Sequence, residues 1–209
     1  MKNTFLSLLM LVALVLSFGA VAPATQAQAV VDNVSVEAGI VHVGAKSNVA
    51  SGAIEVQKTL GTPKLLLDST FTFSDNEGTG TGQVVGNQTV LRGYLSEFVF
   101  VAGGATVGKT VNVSFDTELF LNPTIQAGAT LPVGSRLTFE PYAQLDTPDL
   151  LSDNKLRSLT LNLNTSIAVN DRFGFTADVG ITNTRADYRF FKQGGQNIPY
   201  AYGGVYFTF

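Results

Sequence analysis

Apolar and polar residues alternate with a period of two along most of this chain, which in an extended backbone puts them on opposite faces. Between 157 and 169 the odd positions are Arg157, Leu159, Leu161, Leu163, Thr165, Ile167 and Val169, and the even ones are Ser158, Thr160, Asn162, Asn164, Ser166 and Ala168. After Asn170-Asp171-Arg172 the pattern resumes, with Phe173, Phe175, Ala177, Val179 and Ile181 opposite Gly174, Thr176, Asp178, Gly180 and Thr182. Two alternating runs across a short Asn/Asp turn predict a β-hairpin. A second hairpin turns at Pro132-Val133-Gly134-Ser135. It leads into Leu137, Phe139, Pro141, Ala143 and Leu145 opposite Arg136, Thr138, Glu140, Tyr142 and Gln144.

The same rule predicts strands over 34–43, 53–60, 65–74, 88–101, 111–121, 124–131 and 200–209. Short turns are expected near 61–63, 103–108, 132–135 and 170–172, longer connections near 44–51, 75–86, 146–155 and 183–197, and a tight turn at Asn122-Pro123. With the C-terminus on the periplasmic side, every short turn of the first set is periplasmic and every longer connection external, the asymmetry of outer-membrane barrels. This partition predicts an all-β fold, a transmembrane antiparallel up-and-down β-barrel of ten strands; misreading the Asn122-Pro123 turn or the first hairpin would reduce it to eight.

The N-terminus does not follow the alternation. Lys2 precedes an uncharged apolar run over 5–21, and small residues lead to Ala27-Gln28-Ala29. That layout predicts a signal peptide over 1–29, cleaved to leave a barrel domain over 30–209. No later apolar run approaches the ~20 residues a membrane helix needs. The chain has no Cys, so neither lipidation nor a disulfide framework is expected. Its formal charge of −3 becomes more negative once Lys2 is removed, which argues against nucleic-acid binding.

Alternation alone does not distinguish a soluble barrel from a membrane one, because either has one apolar face. The polar face carries Glu37, Glu55, Asp68, Glu97, Asp116, Glu118, Glu140 and Asp178 at mid-strand. In a membrane barrel these acids point into the lumen, with Glu97, Asp116, Glu118, Glu140 and Asp178 as the candidate acidic cluster. Two readings stay open. In one the acids are neutralised by Arg136, Lys64, Arg92 or the loop cations Arg185, Arg189 and Lys192 inside a packed interior; in the other they line a narrow hydrated passage that prefers cations.

The signal peptide, the hairpin Gly128-Ala129-Thr130-Leu131-Pro132-Val133-Gly134-Ser135-Arg136-Leu137 and the ending Gly203-Gly204-Val205-Tyr206-Phe207-Thr208-Phe209 resemble the small outer-membrane β-barrel superfamily that includes the opacity-type surface proteins. The resemblance covers the mature chain by pattern rather than by strict motif. It implies a bacterial outer-membrane location, contact with outer-membrane lipid and lipopolysaccharide, and a terminal signal for the barrel assembly machinery. Carried over, that signal is Ala201, Val205, Phe207 and Phe209. The expected role is non-enzymatic, structural or surface-interacting, with the pore as alternative, and a monomer is expected.

Gly103-Gly104-Ala105-Thr106-Val107-Gly108-Lys109-Thr110 fits the phosphate-loop pattern, but such a site needs a following helix whose amides cradle phosphate. The β-branched, alternating Val111-Asn112-Val113-Ser114-Phe115 follows instead, so the segment is expected to be a Gly-rich periplasmic turn. His42, the only histidine, is the one candidate general base and anchors the weakest alternative, a membrane enzyme. No metal site or cofactor is expected; Asp146, Asp149 and Asp153 form an acidic loop. The segment 185–192, with Tyr188, Phe190 and Phe191, is a candidate lipopolysaccharide or surface contact.

Overall fold

A computed structural model describes residues 31–43, 47–62, 64–76, 82–111, 117–151, 157–187 and 192–209. The signal-peptide reading lies outside the described residues. The strands are β1 (Asn33–Val43), β2 (Ser47–Thr59), β3 (Leu65–Asn76), β4 (Gly82–Tyr94), β5 (Val99–Val111), β6 (Thr117–Ala129), β7 (Leu131–Val133), β8 (Leu137–Asp146), β9 (Arg157–Asn170), β10 (Phe173–Asp187) and β11 (Lys192–Thr208). Each pairs antiparallel with its neighbours in the order β6-β5-β4-β3-β2-β1-β11-β10-β9-β8-β7, and β6 also pairs β8. That last pairing closes the sheet into a ten-stranded barrel in which β6 and β7 form one continuous stave.

Burial in this barrel is inverted relative to a water-soluble protein. Gln126 is 5% exposed and Asn162 7%, whereas their outward neighbours Ile125 and Leu161 are 58% and 54% exposed. Phe71, Leu119, Val107, Leu159, Ile167, Phe175 and Val179 continue the outward apolar surface. A polar interior inside an apolar exterior suits a hydrocarbon solvent, where closure also pairs the strand backbones internally. The ten long strands, from 10 residues in β8 to 17 in β11, also reach the ~9–11 residues a tilted strand needs to span. Three polar side chains on the outer face satisfy one another: Asn87 Nδ2 donates to Ser69 Oγ at 2.9 Å, and Thr89 Oγ1 donates to Asn87 Oδ1 at 2.9 Å.

Short turns gather at the barrel end that holds Asp32 and Phe209, hereafter the turn end; the opposite one is the loop end. Gly61 and Gly134 adopt positive φ (68° and 66°), the conformation that glycine accepts at low cost. At the β9–β10 turn Asn170 Oδ1 accepts the Arg172 N–H at 2.9 Å, a side chain standing in for a backbone acceptor. Asp32 clasps three chain segments together: its carboxylate accepts from Lys58 Nζ at 2.9 Å and from the Thr59 N–H at 2.6 Å, and its carbonyl accepts the Phe209 N–H at 2.9 Å.

Two expected turns lie inside strands. Residues 103–108 run through the middle of β5, and Asn122-Pro123 sits within β6. The reversal between β4 and β5 occurs instead at Leu95-Ser96-Glu97-Phe98, where Ser96 Oγ accepts the Val99 N–H at 3.1 Å and the Leu95 N–H meets the Val99 carbonyl at 2.8 Å. β6 tolerates Pro123 because β8 pairs with it only as far as Thr124↔Asp146. The edge of Pro123 that lacks an N–H therefore faces an irregular segment, and no ladder hydrogen bond is lost. There the Pro123 carbonyl accepts the Thr147 N–H at 2.8 Å, the Leu121 carbonyl accepts the Leu150 N–H at 2.9 Å, and the Leu121 N–H donates to Asp149 Oδ1 at 2.7 Å. Strands β2, β4, β10 and β11 also extend further toward the loop end than the alternation indicated.

Candidate functional site: the lumen

Register decides which polar residues share the interior. Glu140↔Asn164↔Asp178 runs across β8, β9 and β10, and Ser35↔Glu55 joins β1 to β2, where Glu37 follows on the same face. Glu37, Glu55, Asp68, Glu140 and Asp178 all project inward. Arg92 on β4 is the interior cation among the described residues. Of the other expected partners, Lys64 and Arg136 sit exposed in turns, and the side chains of Arg185, Arg189 and Lys192 lie outside the described residues.

The expected acidic cluster is thus redrawn. Glu140 and Asp178 face the lumen. Glu97 does not: it sits exposed in the 95–98 turn, because the chain reverses where one continuous strand was expected. Asp116 and the side chain of Glu118 lie outside the described residues. Glu37, Glu55 and Asp68 share the same polar parity, and the register, which parity does not encode, brings them into the lumen with Glu140.

Arg92 forms the densest contact of the lumen. Its Nη1 donates to Glu140 Oε1 at 2.7 Å, and its Nη2 lies 3.0 Å from Asp68 Oδ2. The guanidinium carbon stands 4.1 Å from the centroid of the fully buried Phe100 ring, a cation–π contact. Thr130 Oγ1 donates to Glu140 Oε2 at 2.9 Å. Because β5 and β6 separate β4 from β8, the Arg92 side chain reaches over two staves to its acceptor.

Nearer the loop end, neutral side chains form a belt. Gln126 Nε2 donates to Gln88 Oε1 at 3.2 Å and to Gln144 Oε1 at 2.9 Å; Gln88 Nε2 donates to Thr106 Oγ1 at 3.1 Å. Asp146 accepts from Thr124 Oγ1 and Ser158 Oγ, both at 2.7 Å. Asp146 and Asp149 therefore hold the wall together, and Asp153 lies outside the described residues.

Lumenal aromatics lie against the wall. Phe120, Tyr142, Tyr200, Tyr202 and Tyr206 each face a glycine on a neighbouring strand: Gly108, Gly128, Gly180, Gly39 and Gly174 respectively. A Cβ on Gly39 would come within 2.6 Å of the Tyr202 ring, and one on Gly128 within 2.7 Å of Phe100; one on Gly108, Gly174 or Gly180 would strike the facing ring. The missing Cβ atoms let these rings settle flat.

At the turn end a polar cavity of about 300 Å³ opens among Asn33, Ser35, Glu55, Gln57, Glu140 and Tyr206, with Thr138, Asn164, Ser166, Thr176 and Thr208 completing its wall. Glu55 accepts from Gln57 Nε2 at 2.8 Å and from Ser35 Oγ at 3.4 Å. His42 lies toward the loop end of β1, its side chain outside the described residues. The phosphate-loop pattern is strand, followed in the described chain by β6 and by no helix, so it lacks the geometry for a nucleotide. Outward, Ala201 and Phe209 are exposed and Val205 and Phe207 half-buried on one face of the terminal segment, with Phe207 beside Phe173 at 5.5 Å between ring centroids.

No family model and no curated protein matches the chain. Among solved structures it is similar to the KdgM porin in complex with disordered oligogalacturonate (11% identity, TM-score 0.44, 85% of this chain against 99% of that one). It is similar also to the NanC porin (12%, TM-score 0.46, 84% against 100%) and to the COG4313 outer membrane channel from Pseudomonas putida F1 (13%, TM-score 0.45, 90% against 100%). At these values the architecture rests on the strand register and the inverted burial described above: the chain forms a closed, ten-stranded antiparallel barrel with an apolar exterior and an acidic lumen.

Proposed function

We propose that the protein is a small, non-enzymatic channel of the bacterial outer membrane that passes small cations through its acidic lumen. The observation that carries this reading is the imbalance of lumenal charge: Glu37, Glu55, Asp68, Glu140 and Asp178 face Arg92 among the described residues. Placing an unpaired carboxylate in a dry interior costs several kcal/mol, so a packed lumen is a poor home for this set, and a hydrated one a good home. Acidic walls then raise the local concentration of cations and repel anions. Rings lying flat over glycines leave the axis to polar groups. The turn end faces the periplasm, and the apolar face of Ala201, Val205, Phe207 and Phe209 serves the assembly machinery. One chain closes its own lumen, so a monomer suffices.

A specific observation favours a second reading, a purely structural or surface-interacting barrel: the Arg92 bridge and the Gln88–Gln126–Gln144 belt both occupy lumen cross-section. Planar bilayers separate the two. The channel reading expects discrete current steps and a reversal potential on the cation side in a KCl gradient, with selectivity reduced in Glu55→Gln/Asp178→Asn. A barrel whose gel mobility shifts on boiling, yet which stays electrically silent, leaves the structural reading standing.

A further inference from the structure

We propose that the turn-end cavity is a binding chamber for a small organic cation, a primary ammonium whose carbon skeleton carries hydroxyl groups. The inference deepens the channel reading and rests on it for the solute's onward path. Charge comes first. Of the two carboxylates in the wall, Glu140 is already engaged by Arg92 at 2.7 Å and Thr130 at 2.9 Å. Glu55 receives hydrogen bonds from neutral groups, Gln57 and Ser35. A cation entering the chamber supplies the charge that Glu55 faces without a close ion pair.

The rest of the wall selects the kind of cation. Ser35, Ser166, Thr138 and Thr176 offer hydroxyls, and Asn33 and Gln57 offer amides, all able to accept from an ammonium or to exchange hydrogen bonds with a hydroxyl. Tyr206 adds an aromatic surface on which a cation or an alkyl segment can rest. A volume of about 300 Å³ corresponds to roughly ten waters at ~30 Å³ each, space for a multi-carbon solute. A hard metal ion is a poor match: it wants six or more oxygens with several carboxylates converging, and among the described residues no group of three His, Cys, Asp or Glu could hold one. An anion would meet Glu55 with no cationic side chain in the wall.

The test is calorimetric titration of the purified full-length barrel in detergent with three near-isosteric probes: 4-amino-1-butanol, 1,4-butanediol and 4-hydroxybutyrate. The amine is expected to bind at least about tenfold more tightly than the diol, with no binding of the acid. Glu55→Gln should abolish the preference for the amine, and Glu97→Gln should preserve it. Ser166→Leu, which fills the chamber from the opposite wall, should weaken all binding and serves as the second variant if Glu55→Gln does not fold. Equal binding of amine and diol, an unaltered preference in Glu55→Gln, or displacement of the amine by stoichiometric Mg²⁺ overturns the proposal. Cation-selective currents without amine binding overturn the chamber and leave the channel; Glu55-dependent binding in an electrically silent barrel upholds the chamber and removes the channel.

Discussion

Replacing Arg92 by Gln removes the cation that holds Asp68 and Glu140 together. The Arg92 side chain is 7% exposed, that of Asp68 4% and that of Glu140 19%, so water screens the Asp68 pair little and the Glu140 pair somewhat more. Leaving one member of a buried ion pair without its partner costs about 3–5 kcal/mol, and the lost cation–π contact with Phe100 adds up to about 1 kcal/mol. The expected loss of unfolding free energy is therefore about 3–6 kcal/mol at neutral pH. Urea titration in lipid vesicles, followed by far-ultraviolet circular dichroism and by gel mobility, measures it; indole fluorescence is no help in a chain without Trp. The neutral triple variant Asp68→Asn/Arg92→Gln/Glu140→Gln should recover most of the loss, because no charge is then stranded. A loss below about 1 kcal/mol, the range of solvent-exposed pairs, would refute the reasoning by showing that water already solvates Arg92 and its partners. A triple variant as unstable as the single one would assign the cost to packing rather than charge.

Further expectations follow from the wall and the turn end. Gly108→Val drives a side chain into the Phe120 ring and should cost about 1–3 kcal/mol, with Phe120→Ala in the same chain restoring part of it in the same urea titration. Asp32 is held down to about 2 by hydrogen bonds from Thr59 and Lys58, below its ordinary 3.8. Its folded-state value is depressed, so its contribution is complete above pH 4 and is lost as pH falls toward 2; Asp32→Asn should be slightly less stable than the parent at pH 7, by no more than ~1 kcal/mol, and equal to it near pH 2. Glu97→Gln should change neither ion selectivity nor, beyond about 0.5 kcal/mol, stability, because the side chain stands in an exposed turn. Deleting Phe209 removes the 2.9 Å bond to the Asp32 carbonyl together with the last outward aromatic, and should slow the appearance of the heat-modifiable folded band.

The alternation made β8 and β9 legible nearly to their ends, and the turn-end parts of β10 and β11, because there one face is almost purely apolar and the turns carry Asn, Asp or Gly. Between 82 and 131 the same reasoning misplaced the reversals. Gly103, Gly104 and Gly108 looked like turn residues, yet a Cβ on Gly104 would collide with the backbone at Thr89, and Gly108 makes room for Phe120. These glycines serve close approach across strands, which no local window reveals. The true reversal at Leu95-Ser96-Glu97-Phe98 has neither Gly nor Pro; a serine hydroxyl closes it. Because one false turn replaced one true turn on the same side, and Asn122-Pro123 stood in for the reversal between β5 and β6, the strand total survived the errors while Glu97 was carried into the wrong environment. Inward parity of Glu55, Asp68 and Glu140 was readable from sequence; the meeting of Asp68 and Glu140 at Arg92 depends on contacts up to 48 residues apart, which alternation does not encode.

The segment 147–151 that braces β6 beyond Thr124 is a panel of wall not built from a strand. Its grip on β6 includes two backbone bonds, the Thr147 hydroxyl on the Pro123 carbonyl at 3.1 Å and the Asp149 carboxylate. Its release would unzip no strand pairing, because β6 and β8 pair only as far as Thr124↔Asp146. In hydrogen–deuterium exchange the amides of Thr147 and Leu150 should therefore exchange early, while those of β5 and β6 facing one another stay protected. An opening there would lead sideways, between β6 and β9, and would give a solute an exit that does not follow the axis of the barrel.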